Sequence, residues 1–245
     1  MERAAEQISQ WLRERVEAAG AKGLIVGLSG GIDSACTAAL AKRAMGESVL
    51  AVLMPCQSDA VDARYAKMVV KALTVETLTV DLGPVYDKLV TTLPEAARMA
   101  RANIKPRLRM TTLYYLANSR NYLVAGTGNK SELMVGYFTK YGDGGVDLEP
   151  LGSLFKWQVR ELACILGVPQ QIIDRPPTAG LWADQTDEGE MGITYKILDA
   201  TLAAIEVGET AGVDPAVLAR VQSMIVSSEH KRHMPPVWQA GARTG

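Results

Sequence analysis

The segment Leu24-Ile25-Val26-Gly27-Leu28-Ser29-Gly30-Gly31-Ile32-Asp33-Ser34 constrains this chain more than any other. Leu24 to Leu28 is short, β-rich and apolar almost throughout, the pattern of a strand buried on both faces, and Ala35 to Met45 is alanine- and leucine-rich helix material. Between them lies a glycine turn at a helix N-terminus. Unpaired backbone N–H groups and the positive end of the helix dipole favour an anion there, and Gly30 and Gly31 let a phosphate approach the backbone. The common phosphate loop places a lysine after its last glycine, but here Ile32 and Asp33 follow Gly31. A carboxylate beside phosphate calls for a shared cation, so Asp33 is expected to hold Mg²⁺. The alternative is a tight turn in which Ser29 or Asp33 only caps the helix.

Further strands are expected at 48–54, 75–80 and 121–125, with helices between them. An amphipathic helix over 2–19 precedes the first strand and is expected beside it. Ser58-Asp59 opens a helix reaching Leu73, and Pro94 and Pro106 punctuate the helical stretch after the third strand. This alternation implies a three-layer α/β fold, a doubly wound parallel sheet with helices on both faces and ligands beyond the carboxyl ends of the strands. The fourth strand runs into a second glycine turn, Gly126-Thr127-Gly128. Residues 137–150 have turn composition, but Phe138, Lys140 and Tyr141 around the glycines favour a site over a spacer. A helix over 157–166 follows. Ala179 to Gly192 is polar and glycine-bearing and reads as a mobile lid, and two more helices are expected near 194–206 and 215–227.

The 245 residues suit one domain, with a loose tail over 236–245. Lysine and arginine total 26 against 27 acids, a net charge of −1, which argues against nucleic acid and anionic membrane as partners. Cys36, Cys56 and Cys164 are odd in number, form no C-x-x-C pair, and sit in contexts that read as core or strand end. With no apolar run of membrane-spanning length and an acidic N-terminus, a reducing cytoplasm fits best.

Ser29 to Ser34 resembles the S-G-G-x-D-S loop of the ATP pyrophosphatase superfamily, whose members cleave ATP to AMP and pyrophosphate. Later blocks narrow the resemblance: Lys105 to Met110, Gly126-Thr127 with Glu132, Gly136 to Asp147, Leu154-Phe155-Lys156, Pro177-Thr178-Ala179 and His230-Lys231-Arg232. In that order they are similar to the NAD synthetase family over roughly residues 5–236. The resemblance implies an adenine nucleotide alpha hydrolase-like fold and ATP-dependent amidation of nicotinate adenine dinucleotide by ammonia. It further implies that Ser29, Gly30, Gly31, Ile32, Asp33 and Ser34 cradle the ATP phosphates, that Asp33 and Glu132 hold Mg²⁺, and that Thr127, Lys156 and Thr178 contact ATP or the adenylate. Arg107, Lys140, Asp147, His230 and Lys231 would bind the dinucleotide, Asp143 would sit near the ammonia, and the enzyme would be a homodimer.

Each residue also has a plainer reading. Arg107 and Arg109 could form a solvated helix face, Glu132 could cap a helix or pair with Lys130, and Lys156 could be exposed. His230 and His233 have metal-like spacing without a third ligand, which favours phosphate or ribose contact. Other superfamily ligases, acting on purine nucleotides or tRNA, and a non-catalytic ATP sensor are the alternatives. Gly180-Leu181-Trp182 matches a variant familiar from chains fused to a glutaminase. No cysteine here reads as a glutaminase nucleophile, so free ammonia is the expected substrate, with a docked glutaminase chain as the lesser option.

Overall fold

Strands this short and apolar bury both faces, and a connection that contains a helix returns the chain to pair in parallel. The computed structural model describes residues 1–58, 60–182 and 185–238. In it β1 (Gly23–Gly27), β2 (Val49–Leu53), β3 (Glu76–Thr79) and β4 (Tyr122–Ala125) form one parallel sheet in the order β3-β2-β1-β4. Leu24 lies opposite Val49 on one side and Leu123 on the other. β3 is the exposed edge. At the opposite edge the chain returns to β4, where the Asp147 and Leu148 N–H groups donate to the Val124 carbonyl at 3.0 and 3.2 Å.

The period of two divides the sheet between two cores. Leu24, Val26, Val49 and Ala51 face α1 (Glu2–Ala18), α2 (Ile32–Met45), α3 (Ala60–Leu73) and α8 (Lys156–Ile165). Ile25, Leu50, Val52 and Val124 face α4 (Gly83–Thr92) and α6 (Ile104–Arg120), the latter preceded by the short α5 (Arg98–Ala102). Both faces are therefore covered, as the alternating pattern requires.

α1 departs from expectation by packing on α2 and α8 instead of on β1. The cause lies in α2, which buries residues all around its circumference, from Ala35 and Cys36 to Leu40 and Ala44. A helix that is apolar all round needs cover on its outer side. α1 supplies it through Leu12 and Val16, and the Arg13 guanidinium donates twice to the Ala44 carbonyl.

The later helices, α7 (Lys130–Val135), α9 (Gln170–Ile173), α10 (Asp187–Met191), α11 (Tyr195–Val207), α12 (Pro215–Ser227) and α13 (Glu229–Arg232), follow the sheet. α7, α10, α11 and α12 enclose a third core around Val135, Phe155, Leu198, Leu202 and Val221. The expected cap at Asp59, part of the expected lid at residues 183–184, and the tail from residue 239 lie outside the described residues. Cys36 and Cys56 are buried, whereas Cys164 is exposed on α8, where a core or strand-end position was expected. Among the described residues no helix is long and apolar enough to cross a membrane.

Candidate active site

The sheet order places the ends of β1 and β4 side by side, and both glycine turns leave from there. In the first turn Ser29 and Ser34 brace each other. Ser34 Oγ accepts the Ser29 N–H at 3.2 Å, lies 3.1 Å from Ser29 Oγ and donates to the Gly31 carbonyl at 2.9 Å. Gly31 is the N-cap of α2 and no side chain caps the helix, so the capping alternative for Ser29 and Asp33 is not what the fold uses. Gly30 has φ +86°, and a Cβ there would stand 2.8 Å from both the Ala66 nitrogen and the Asp62 carbonyl. Only glycine fits, which lays the loop directly against α3.

Lys156 is the centre of the site. It is 1 % exposed, so the plain reading of a surface lysine fails. Its Nζ donates to Asp33 Oδ2 at 2.5 Å and to Glu132 Oε1 at 3.2 Å, and lies 4.8 Å from the Tyr195 ring centroid. Each partner stands in the first turn of a helix. Asp33 is in α2, where its Oδ1 accepts Asn129 Nδ2–H at 3.0 Å. Glu132 is in α7, held by a reciprocal capping box with Asn129. Lys156 opens α8, its own N–H donating to Ser131 Oγ at 3.0 Å, while Ser131 donates to Asp199 Oδ1 at 2.5 Å. Asp199 Oδ2 accepts the Trp157 N–H at 3.1 Å, so one serine and one aspartate fix the start of α8. The uncapped N-terminus of α2 thus lies beside the Lys156 ammonium, adding partial positive charge where an anion would sit, while the first N–H groups of α8 are taken up by Ser131 and Asp199.

Burial alone would lower the pKa of Lys156, but Asp33 and Glu132 more than offset it and hold the ammonium above the ordinary lysine value. Burial pushes Glu132 up to about 7 against the pull of Lys156, with Asp33 and Asp187 adding to the rise. Asp33 and Glu132 are 18 % and 14 % exposed at the side chain and present hard oxygen donors. Among the described residues no group of three or more acidic, histidine or cysteine side chains could hold a metal alone. Two carboxylates suit Mg²⁺, which commonly takes one or two from the protein and the rest from phosphate and water.

The second glycine turn rests on Glu149, which sequence reasoning did not single out. A Cβ on Gly126 would lie 2.5 Å from Glu149 Oε2, and the Gly128 N–H donates to that oxygen at 3.2 Å. Thr37 Oγ1 holds the Gly126 carbonyl at 3.1 Å, and Thr127 is half-buried between the two glycines. Burial pushes Glu149 up to about 8, only partly countered by the Gly128 N–H. From the unfolded value near 4.5 up to about 8 the folded chain therefore holds a proton that the unfolded chain releases, and stability falls as pH rises through this window. Glu149→Gln keeps the acceptor and removes the titration. Its melting temperature is expected to match wild type near pH 5 and exceed it by several degrees at pH 8.5; equal temperatures at both would contradict this.

Thr178 Oγ1 accepts the Gly180 N–H at 3.1 Å, and Gly180 stands beside the Asp62 carboxylate. Asp62 pairs with Arg175, and its carbonyl borders Gly30, so residues 175–180 and the first glycine turn share the start of α3. The segment expected to be a lid is anchored in this structure. Lys105 Nζ donates to the Leu181 carbonyl at 2.8 Å, the Arg98 guanidinium lies 4.2 Å from the Trp182 ring, and Gln185 Oε1 accepts the Leu181 N–H at 2.8 Å.

A second cluster gathers on the loop after α7. Arg107 donates to the Lys140 carbonyl at 3.3 Å, Lys140 Nζ donates to the His230 carbonyl, and Lys231 Nζ donates to the carbonyls of Gly136 and Phe138 at 2.7 and 2.9 Å. Arg107, Lys140, His230 and Lys231 are thereby brought together. Asp143 holds the turn of this loop, accepting the Thr139 N–H at 2.9 Å. Asp147 stands apart, tied to Tyr114 OH at 2.9 Å and the Val124 N–H at 2.8 Å. Arg109 is not on a solvated face, since it reaches the Met54 carbonyl beyond β2 at 3.3 Å. His233 Nε2 is 2.5 Å from Glu229, and among the described residues no third ligand completes a metal site with the histidines.

The family model for NAD synthase matches residues 4–235. The protein named NH(3)-dependent NAD(+) synthetase from Carboxydothermus hydrogenoformans is 50% identical over 241 residues, covering 96% of this chain and 97% of its own. The protein of the same name from Syntrophomonas wolfei is 47% identical over 237 residues, covering 94% and 93%. Among solved structures, NMN synthetase from Francisella tularensis superposes with a TM-score of 0.89 at 36% identity, covering 96% of this chain and 97% of that one. NH3-dependent NAD synthetase from Campylobacter jejuni gives 0.85 at 30%, covering 97% and 98%. With its paired glycine turns, its lysine set between two carboxylates and these relatives along nearly its whole length, the chain belongs to the NAD synthase family.

Proposed function

We propose that this chain is a ligase that converts nicotinate adenine dinucleotide to NAD⁺ with ATP and ammonia. The observation that carries the reading is the Lys156 ammonium held between Asp33 and Glu132 at the mouth of a phosphate-accepting turn. A carboxylate is a poor acyl donor, so the pyridine carboxylate first attacks the α-phosphorus of ATP and pyrophosphate leaves. Ammonia then adds to the acyl carbon, its nitrogen gives up a proton, and AMP departs with the bonding electrons.

In this reading Ser29 to Ser34 cradle the departing pyrophosphate through the free N–H groups of α2. Thr127 and Thr178 flank the nucleotide from the second turn and from the segment over α3. Asp33 and Glu132 would hold Mg²⁺, which when bound offsets phosphate charge. Lys156 lies within reach of the same oxygens and stabilises negative charge as it develops. Arg107, Lys140, His230 and Lys231 supply cationic and polar groups for one part of the dinucleotide, and Asp147, which stands apart from them, would be a polar acceptor for another. Asp143 would orient ammonium or accept its proton. We read the chain as a single domain acting as a homodimer in the cytoplasm.

The likeness to an NMN synthetase raises a second reading, in which the mononucleotide is amidated. One assay separates them. With Mg-ATP and ammonium chloride, nicotinate adenine dinucleotide is expected to give stoichiometric NAD⁺, AMP and pyrophosphate, and nicotinate mononucleotide a kcat/KM at least about a hundredfold lower, the size of loss expected when remote binding contacts vanish. Glutamine freed of ammonia should give almost no product. Preference for the mononucleotide would exchange the two substrates, and ATP binding without pyrophosphate release would leave a sensor. Sedimentation of the same preparation checks the dimer, which an active monomer would contradict.

A further inference from the structure

We infer that Tyr195 is a positioning residue for Glu132. The inference rests on the reading of Glu132 as a cation ligand.

Tyr195 opens α11, and its ring belongs to the core shared by α7, α10, α11 and α12. The hydroxyl does something the core does not need. It lies 2.9 Å from Glu132 Oε1, the oxygen that also receives Lys156 Nζ at 3.2 Å, and 3.2 Å from Asp187 Oδ2. Asp187 is 5 % exposed, and its other oxygen accepts Tyr137 OH at 3.2 Å. Tyr137 also meets Glu190 Oε2 at 2.8 Å, and Glu190 takes Gln185 Nε2–H at 2.6 Å. Each phenol has one proton and two carboxylate neighbours, and in both the shorter contact is to the glutamate: Tyr137 to Glu190 and Tyr195 to Glu132.

The need for this arrangement follows from counting donors on Glu132. Oε2 is held by the Asn129 N–H at 3.2 Å, and Oε1 by Lys156 and Tyr195. Once Lys156 turns to phosphate, Tyr195 is the remaining side-chain donor on Oε1 among the contacts described. The hydroxyl then keeps Glu132 in its rotamer, with one lone-pair direction free for a cation. Asp187 Oδ2 is the rival acceptor for that single proton, at the longer distance of 3.2 Å against 2.9 Å for Glu132. Donors such as this hydroxyl orient metal-ligating groups elsewhere, and losing one weakens metal binding about 10- to 100-fold.

The test uses Mn²⁺ as the probe and α,β-methylene-ATP to prevent turnover, with free Mn²⁺ read by electron paramagnetic resonance. Tyr195→Phe keeps the ring and its packing. It is expected to weaken Mn²⁺ binding about tenfold or more and to lower kcat by a similar factor, with KM for the dinucleotide within about twofold of wild type. Asp187→Asn weakens the rival acceptor and should leave Mn²⁺ affinity equal to or tighter than wild type. Wild-type Mn²⁺ affinity in Tyr195→Phe overturns the inference. Should Tyr195→Phe not fold, Asp187→Asn with Mn²⁺ affinity weakened about tenfold overturns it as well. A wild-type protein that binds no Mn²⁺, or that binds it undiminished after Glu132→Gln, overturns the cation-ligand reading underneath.

Discussion

Lys156→Met will abolish turnover and leave a protein whose melting temperature depends on Mg²⁺. In the native chain Lys156 is almost wholly buried and is the one cation hydrogen-bonded to Asp33 and Glu132 among the described residues. Methionine fills much of the space but returns no charge, and two partly buried carboxylates are left facing each other. Breaking a buried pair from one side costs about 3–5 kcal/mol. At this chain length that corresponds to a fall of roughly 6–20 °C in melting temperature. The carboxylates can escape by taking up a proton, and the sign of the pH dependence follows. Without the lysine, the folded pKa of Glu132 rises further above its unfolded value, so stability is lost as pH climbs between the two. The defect should be slight near pH 5 and large at pH 8. At pH 8, millimolar Mg²⁺ should restore several degrees by supplying the missing charge, while kcat stays at least about a thousandfold down because no ammonium meets the developing phosphate charge. An unchanged melting temperature at pH 8 with no response to Mg²⁺ would show that Lys156 and the carboxylates do not share one electrostatic site.

What the sequence revealed about this site follows the range of the contacts. Ser29, Gly30, Gly31 and Ser34 speak to each other across five residues or fewer, and the strand, turn and helix around them are written in adjacent positions. The alternation of strands and helices, and hence the layering, was legible for the same reason. The cap of α7 was half legible: Glu132 was read as a possible helix cap, but its partner Asn129 was not singled out. Lys156 was ambiguous because a lysine before a helix looks alike whether solvated or buried, and the deciding partner, Asp33, lies 123 residues away. Glu149, Asp187 and Tyr195 had no local signature at all. Tyr195 meets Glu132 across 63 residues, and Glu149 reaches the second turn across 21. The placement of α1 was misread because amphipathicity reports that a helix has a buried face, not what covers it. Only the uniform burial of α2, itself a helix with small residues on every side, decides that.

The complementary substitution, Asp33→Asn, is expected to lose activity about a thousandfold without the full instability of Lys156→Met. Asparagine keeps an acceptor for the Asn129 amide at Oδ1, and Lys156 keeps Glu132 as its counter-charge. The like-charge pressure that Asp33 places on Glu132 is relieved, which lowers the folded pKa of Glu132 toward its ordinary value and removes part of its cost at neutral pH. With Oδ1 still accepting the Asn129 amide, however, the new amide nitrogen faces the Lys156 ammonium in place of its shorter ion pair, so melting temperature should fall, though by less than in Lys156→Met because Glu132 still pairs with the lysine. What the variant lacks is one of two carboxylate oxygens for a hard cation, and the remaining Glu132 stands beside an ammonium that now has a single anionic partner. Mg²⁺ should then produce no shift in melting temperature, the reverse of its effect on Lys156→Met, and pyrophosphate release should fall with NAD⁺ formation because adenylation itself fails. Activity within a few-fold of wild type, or a thermal response to Mg²⁺ as large as the native chain's, would remove Asp33 from the cation site and leave it only as the partner that holds Lys156.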